Sequence, residues 1–150
     1  MAHKVEIDFY HEGLRCVVIM RRRGHRCGYV GIPKGHKFHG IDYFNESIEH
    51  FDVHGGITYS EDGDGVYPVE NEDNLWWFGY DCDHLGDALD TSVMSEEERK
   101  RYIPGDGVVR SLDYCVEECK KLAEQLSKFM PNGDRRVKQW TRRTIQRLWL

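Results

Sequence analysis

The segment 111–130, SLDYCVEECKKLAEQLSKFM, limits the possible folds more than any other part of the chain. Its apolar residues recur at steps of three and four, which places them on one face of a helix. They are Leu112, Cys115, Val116, Cys119, Leu122, Ala123, Leu126 and Phe129. The sequence PNG at 131–133 then ends the helix. A long helix with one apolar face must pack against a second layer of structure, which the rest of the chain has to supply.

The first half of the chain predicts that this second layer is a β-sheet. Val5, Ile7 and Phe9 alternate with charged residues in KVEIDFYH, which is typical of a half-buried strand. Further strands are predicted in LRCVVIMRRR, CGYVGI and LWWFGYD. Another is predicted in IEHFDVHGGITYS, interrupted at Gly55-Gly56 by a bulge or a tight approach. Ser95 and Glu98 have the spacing of a capping box, which predicts a short helix before the long one. The predicted fold class is α+β, with a mostly antiparallel sheet packed by one long helix in the C-terminal half.

The charge distribution divides the chain into two parts. At 150 residues we expect a single globular domain over 1–134, followed by a basic amphipathic segment over 135–150. That segment carries six Lys/Arg residues and no acid, which leaves the domain with fifteen basic and twenty-six acidic residues. A domain charge of −11 disfavours nucleic acid as a partner, because phosphates need a positive surface. The basic segment could instead dock on the acidic domain or on a second copy in a homo-oligomer.

Several classes of protein are excluded by what the sequence lacks. No apolar run approaches the ~20 residues that cross a bilayer, and the N-terminus lacks an apolar signal core. The five cysteines contain no CxxC pair, which excludes a zinc ribbon and a thioredoxin-type site. These features predict a cytoplasmic protein with reduced thiols and no membrane partner.

The first candidate site combines residues from two segments. Asp81 ends the aromatic strand LWWFGYD, His84 and Asp87 follow it at steps of three, and His54 lies beside two glycines. Two histidines and two carboxylates could bind a divalent metal such as zinc, manganese or iron. Without a metal, His84 between carboxylates could act as a general base. These four residues are the predicted catalytic residues and metal ligands, and the alternative is an aspartate-capped turn beside a hydrogen-bonded core histidine.

The second candidate is the loop GIPKGHKFHG, which is cationic and contains glycines. Such a loop suits a phosphate or another anion, although it lacks the spacing of a P-loop and could be an exposed hairpin. Aromatic residues of the strands could form the walls of the same pocket, and Tyr29 and Tyr59 are candidates for this role. The predicted ligand-binding residues are Lys34, Gly35, His36, Gly55, Gly56, Thr58 and Trp77.

Four motifs together resemble a family of small phage and prophage proteins: CGYVGIPKGHKFHG, VHGGITYS, WWFGYDCDHLGD and RSLDYCVEECKKLAEQL. The resemblance extends from about Cys27 to Leu126, and the first 25 residues and the basic segment lie outside it. Its strongest positions match Gly28, Pro33, His36, His54, Gly55, Gly56, Thr58, Asp81, Cys82, His84, Gly86 and Asp87. Asp83 departs from the family pattern, where other residues, often alanine, occur, so it is a weaker ligand candidate.

The resemblance implies a viral or prophage context, and therefore the host cytoplasm, but it brings no activity with it. Small phage proteins are often accessory factors that blunt host defence, some by cleaving or sequestering nucleotide signals. We therefore expect an anti-defence hydrolase that acts on a nucleotide or another phosphorylated small molecule. The alternatives are a sponge that binds such a nucleotide without chemistry, and an inhibitor of a host defence protein whose acidic surface mimics nucleic acid.

Overall fold

A computed structural model describes residues 3–63, 65–70, 73–131 and 143–144. The main strands among these residues are β1 (His3–His11), β2 (Leu14–Arg21), β3 (Arg26–Ile32), β4 (Tyr59–Glu61) and β5 (Trp76–Asp81). They form one sheet in the order β4-β5-β3-β2-β1, with antiparallel pairing throughout. Two helices follow, α1 (Glu96–Arg101) and α2 (Leu112–Ser127), after a 3₁₀ turn at Thr91–Val93. The predicted α+β class is confirmed.

The predicted basic segment, 135–150, lies mostly outside the described residues. Its described part is β6 (Arg143–Thr144), which pairs antiparallel with Ile7 and Asp8 of β1. These two residues are extended.

Helix α2 shares a hydrophobic core with one face of the sheet. Its buried residues are Cys115, Val116, Cys119, Leu122, Ala123 and Leu126. They lie in one cluster with alternate strand residues, including Val18 of β2, Val30 of β3 and Phe78 and Tyr80 of β5. The Tyr80 hydroxyl donates a hydrogen bond to the Cys115 carbonyl at 2.7 Å, which fixes α2 to β5. At the helix start the Ser111 side chain accepts from the Tyr114 N–H at 3.1 Å, as an N-cap does.

The opposite face of the sheet carries a second, smaller core. Tyr29 of β3 and Trp77 of β5 lie in this cluster, together with Val69 and Leu75 from the connection between β4 and β5. Side chains along a strand alternate between the two faces, so Tyr80 faces α2 while Asp81 points to the opposite side. The end of β5 therefore delivers polar groups to both faces of the sheet.

The predicted strand over IEHFDVHGGITYS is wrong for most of its length, because only its last two residues, Tyr59 and Ser60, belong to a strand, β4. Gly55 and Gly56 adopt φ values of +68° and +80°, in the left-handed region that a strand ladder excludes. Side chains of α2 replace the missing ladder. Gln125 accepts from the Asp52 N–H and donates to the Asp52 carbonyl, both at 2.8 Å.

The start of α1 and the state of the cysteines can also be compared with the sequence predictions. The capping box is confirmed, since Ser95 and Glu98 exchange hydrogen bonds at the start of α1. All five cysteines are free and buried. Among the described residues, no helix has the length and apolar character needed to cross a membrane.

Candidate functional site

A hydrogen-bonded network joins the loop after β5 to the start of α2. The imidazole of His54 contacts the Tyr114 hydroxyl through Nδ1 at 2.7 Å and the Asp87 carboxylate through Nε2 at 2.9 Å. Arg110 donates from Nε to the other Asp87 oxygen at 2.8 Å. The Glu118 carboxylate accepts from the backbone N–H of His54 at 2.8 Å, so α2 holds both the ring and the main chain of this histidine.

Asp87 is the electrostatic centre of this network. Its side chain is only 2% exposed and lies between the His54 ring and the Arg110 guanidinium. Burial alone would raise the pKa of Asp87, but hydrogen bonds from His54, Arg110 and the His84 N–H outweigh it and lower the pKa. Asp87 therefore stays a carboxylate in a place where an unpaired charge would be costly.

His84 lies between this network and Asp81. Its Nδ1 is 3.0 Å from the Asp81 carbonyl oxygen, 3.3 Å from the nearer Asp81 carboxylate oxygen and 3.9 Å from Asp87 Oδ2. Thr58 donates from its hydroxyl to Asp81 Oδ2 at 2.9 Å. The backbone of Gly55 passes so close to the ring that a Cβ at this position would lie 2.5 Å from the imidazole. Glycine at residue 55 is thus required by the position of His84.

The ring of His84 also lines a cavity of about 520 Å³ on the sheet face opposite α2. This volume is in the range of small-molecule sites. The cavity walls combine aromatic, acidic and basic side chains: Arg21, His25, Cys27, Tyr29, Thr58, Tyr59, Tyr67, Tyr80, Asp81, Asp83 and His84. The hydroxyls of Tyr29 and Tyr67 are hydrogen-bonded to each other, and Arg21 donates to Tyr67 at 2.6 Å.

The four residues predicted to be catalytic are neighbours in the structure. His54 contacts Asp87 directly, and the rings of His54 and His84 are 6.2 Å apart between centroids. Asp81 also accepts from the Asp83 N–H at 3.1 Å, which is the aspartate-capped turn that the sequence left as an alternative. The geometry therefore combines a turn with a cluster, and the catalytic role itself stays a prediction.

The predicted anion-binding loop lies at the other end of the sheet. Asp81 is paired with Cys27, whereas Trp76 is paired with Ile32, just before the loop. This spacing of five residues along β3 separates the loop from Asp81 by roughly 17 Å. Lys34 and His84 therefore lie toward opposite ends of the sheet.

His36 and Trp77 have structural surroundings that the sequence did not reveal. His36 is buried, and its Nε2 and Nδ1 are bonded to the Leu126 carbonyl and the Phe38 N–H. Trp77 is fully buried in the second core and does not line the cavity. Gly35 is exposed beside Pro131, at the same distant end as His36. These three residues and the exposed Lys34 do not line the cavity, and their role in binding a ligand stays a prediction.

Thr58 and the two glycines of the HGG sequence stay close to the cluster. Thr58 lines the cavity and bonds Asp81, and Gly55 contacts the His84 ring. A Cβ on Gly56 would meet nothing within 4 Å, so this glycine is explained by its backbone conformation alone. Tyr29 and Tyr59, predicted as aromatic walls, do line the cavity.

Sequence reasoning missed several residues of the site. Arg110 and Tyr114 belong to the network around Asp87 and His54, yet their positions look like an ordinary start of an amphipathic helix. Arg21, His25 and Tyr67 line the cavity but lie outside the recognised motifs in the sequence. Only the pairing of β2, β3 and β5 brings these residues together, and no local pattern encodes that pairing.

The cluster offers a set of donors that suits a divalent metal. One ligand atom from each of His54, His84 and Asp87 can be chosen so that all three lie within 4.8 Å of one another. Two imidazoles and one carboxylate are a donor set used by zinc and by non-haem iron. Asp81 stands beside this trio and contacts it through the His84 ring.

Comparison of the chain with protein-family models, with curated proteins and with solved structures finds no match.

Proposed function

We propose that this protein is a phage-encoded accessory hydrolase that acts, in the host cytoplasm, on a nucleotide or another phosphorylated small molecule. The observation that carries the proposal is the position of His84. Its ring is held by Asp81 on one side, contacts the His54 and Asp87 network on the other, and lines a cavity large enough for a nucleotide. The sheet packed by α2 would serve as the rigid support for these groups.

The proposed chemistry is the attack of water on a phosphoryl group. His84, oriented by the Asp81 carbonyl, would accept or deliver a proton, or bind a metal that activates the water. His54 and Asp87 would act as a pair, with Asp87 held ionised by Arg110. The tyrosine walls of the cavity, Tyr29 and Tyr59, would contact a base or another flat group of the substrate.

A nucleotide-binding sponge is the second candidate, and one observation favours it. Every contact of the Asp87 carboxylate is already made within the protein, by His54, Arg110 and the His84 N–H. Such a network can be purely structural, in which case the cavity would bind a ligand and leave it intact. A sponge or an inhibitor of a host defence protein would serve the same anti-defence role that the phage resemblance implies.

The test is an assay of cyclic and linear nucleotides with the purified protein, in which hydrolysis products are separated by chromatography. We expect turnover of at least one nucleotide, and a loss of about 100-fold or more in His84→Gln and Asp87→Asn, because acid–base groups contribute that much. His50→Gln and Asp106→Asn remove an exposed histidine and an exposed aspartate outside the site and are the matched controls. Tight binding with the nucleotide recovered intact would support the sponge. If the protein shows no binding and no turnover of any nucleotide, both the hydrolase and the sponge are contradicted.

A further inference from the structure

We infer that His54, His84 and Asp87 form a three-ligand site for one divalent transition-metal ion, and that Asp81 is not a ligand of that ion. The inference deepens the proposed function, because it names the cofactor class of the same site, but metal binding can be measured without any substrate. It also narrows the sequence prediction, which placed all four residues in the ligand set.

The distances within the trio are close to those of a coordination sphere. His54 Nε2 and Asp87 Oδ2 are 2.9 Å apart, and all three donors fit within 4.8 Å. Ligand atoms around a tetrahedral ion at about 2.1 Å stand roughly 3.4 Å from one another. An ion could therefore replace the hydrogen bond between His54 and Asp87 with shifts on the order of 1 Å. Three protein ligands leave at least one position for water or a substrate oxygen.

The surroundings of His54 are those expected around a metal-binding histidine. Such a ligand usually bonds its second nitrogen to a neighbouring group, which orients the ring and fixes its tautomer. Here Nδ1 of His54 is held by the Tyr114 hydroxyl at 2.7 Å, so Nε2 is directed at Asp87. Arg110 holds the other Asp87 oxygen in the same manner.

Asp81 is committed to other partners. One of its carboxylate oxygens accepts from Thr58 at 2.9 Å, and the other accepts from the Asp83 N–H at 3.1 Å. Its backbone carbonyl contacts the His84 ring at 3.0 Å. Asp81 therefore positions His84 and stays outside the coordination sphere.

The charge of the cavity gives the ion a role toward a phosphorylated ligand. Asp81 and Asp83 line the cavity, and among the described residues of its wall Arg21 supplies the single guanidinium. Asp87 lies just beyond His84. Asp87 is paired with Arg110 and Asp83 with Arg23, so Asp81 is the carboxylate that would most directly repel a phosphate approaching His84. A divalent ion held by the trio reverses the local charge and supplies the attraction that the predicted cationic loop cannot supply from the other end of the sheet.

The experiment is a titration of chelator-treated protein with Zn²⁺, Mn²⁺ and Mg²⁺ in competition with a chromophoric chelator, with bound metal counted by elemental analysis. We expect one Zn²⁺ or Mn²⁺ per chain and no competition from equimolar Mg²⁺, because imidazole ligands do not suit Mg²⁺. His54→Ala and His84→Ala should each weaken binding by at least about 100-fold, and Tyr114→Phe by roughly 10- to 100-fold. The exposed His50→Ala is the control and should leave binding unchanged. Asp81→Asn keeps the backbone carbonyl that contacts the His84 ring, so it should weaken binding by no more than about 10-fold, less than either ligand variant.

Folding of each variant is checked by circular dichroism. His84 is about one-third exposed, so we expect His84→Ala to fold. This variant therefore still tests the inference if His54→Ala, which alters a more buried ligand, does not fold. Absence of stoichiometric metal, or equal affinity in His84→Ala and the unaltered protein, would overturn the inference. Metal binding without turnover would leave the inference standing and contradict the hydrolase. Turnover that persists in chelator, with no metal bound, would support the hydrolase and contradict the metal site.

Discussion

Both ring nitrogens of His36 are hydrogen-bonded in the interior, and their partners fix which nitrogen carries the proton. The Phe38 N–H donates to Nδ1 at 3.0 Å, so Nδ1 is an acceptor. Nε2 must then carry the proton and donate to the Leu126 carbonyl at 2.7 Å. The imidazole is neutral in this arrangement, and it attaches the loop after β3 to the end of α2.

This neutral histidine predicts a loss of stability at acid pH. Burial lowers the pKa of His36 from its ordinary value, although the bond to the Leu126 carbonyl acts in the opposite direction. Below about pH 6.5 the unfolded chain therefore binds a proton at His36 more readily than the folded chain does. The free energy of unfolding decreases as the pH is lowered. Denaturant unfolding at pH 7.5 and 5.5 should show a smaller pH effect in His36→Gln than in the unaltered protein.

His36→Gln should also lower the free energy of unfolding by about 1 to 3 kcal/mol at pH 7.5, because it disturbs two buried hydrogen bonds. His50→Gln is the control, since His50 is exposed and its substitution should leave the pH effect unchanged. An equal pH effect in His36→Gln and in the unaltered protein would contradict the assignment of a neutral buried imidazole.

Gly55 and Gly56 allow the contact between backbone and His84 to be separated from backbone strain. Both have positive φ, so an alanine at either position is strained by a similar amount, about 1 to 2 kcal/mol. Only at Gly55 would the added Cβ also collide with the imidazole, at 2.5 Å. We expect Gly55→Ala to displace the His84 ring and Gly56→Ala to leave it in place. Imidazole NMR resonances of His84 measure this displacement, and an equal shift in both variants would argue against the contact.

At the scale of elements, side chains of α2 make the hydrogen bonds to the backbone of 52–54 that a neighbouring strand would otherwise make. Gln125 makes two hydrogen bonds with the backbone of Asp52, and Glu118 accepts from the His54 N–H. These bonds satisfy main-chain groups that the turn at Gly55 removes from any sheet. The helix thus sets the position of His54 as well as covering the core.

Gln125→Ala should release this segment while leaving the sheet intact. The free energy of unfolding should fall by about 1 to 2 kcal/mol, the scale of two such hydrogen bonds. Amide hydrogen exchange at Asp52 and His54 should accelerate more than exchange in β2 and β3. Glu117→Ala, on the exposed face of the same helix, is the matched control. Uniform acceleration across the sheet would indicate general destabilisation instead.

At the scale of the whole molecule, the sequence predicts individual helices and strands better than it predicts how they pair and pack. The apolar stripe of α2 and the alternation in β1 are local patterns, and both elements occur where the patterns place them. The cluster of His54, Asp81, His84 and Asp87 could be anticipated because three of its members lie at or just after the end of one strand and the fourth adjoins two glycines.

The other parts of the site depend on register, which no local pattern encodes. β3 and β5 pair so that Cys27 lies opposite Asp81, and this pairing puts the glycine-rich loop at the far end of the sheet. The strand predicted through His54 failed because its alternating residues are compatible with a turn once two adjacent glycines take positive φ. Arg110 and Tyr114 reach the site only because α2 docks across the sheet.

The end of β5 works as a partition between two compartments, with His84 exposed to both. On one side lie His54 and Asp87, and on the other lies the tyrosine-walled cavity. Any molecule that moves this ring from the cavity side alters the donors on the α2 side, and an ion bound there alters the cavity wall in turn. By thermodynamic linkage the two effects must be equal in size. One imidazole would then make each compartment sensitive to what occupies the other.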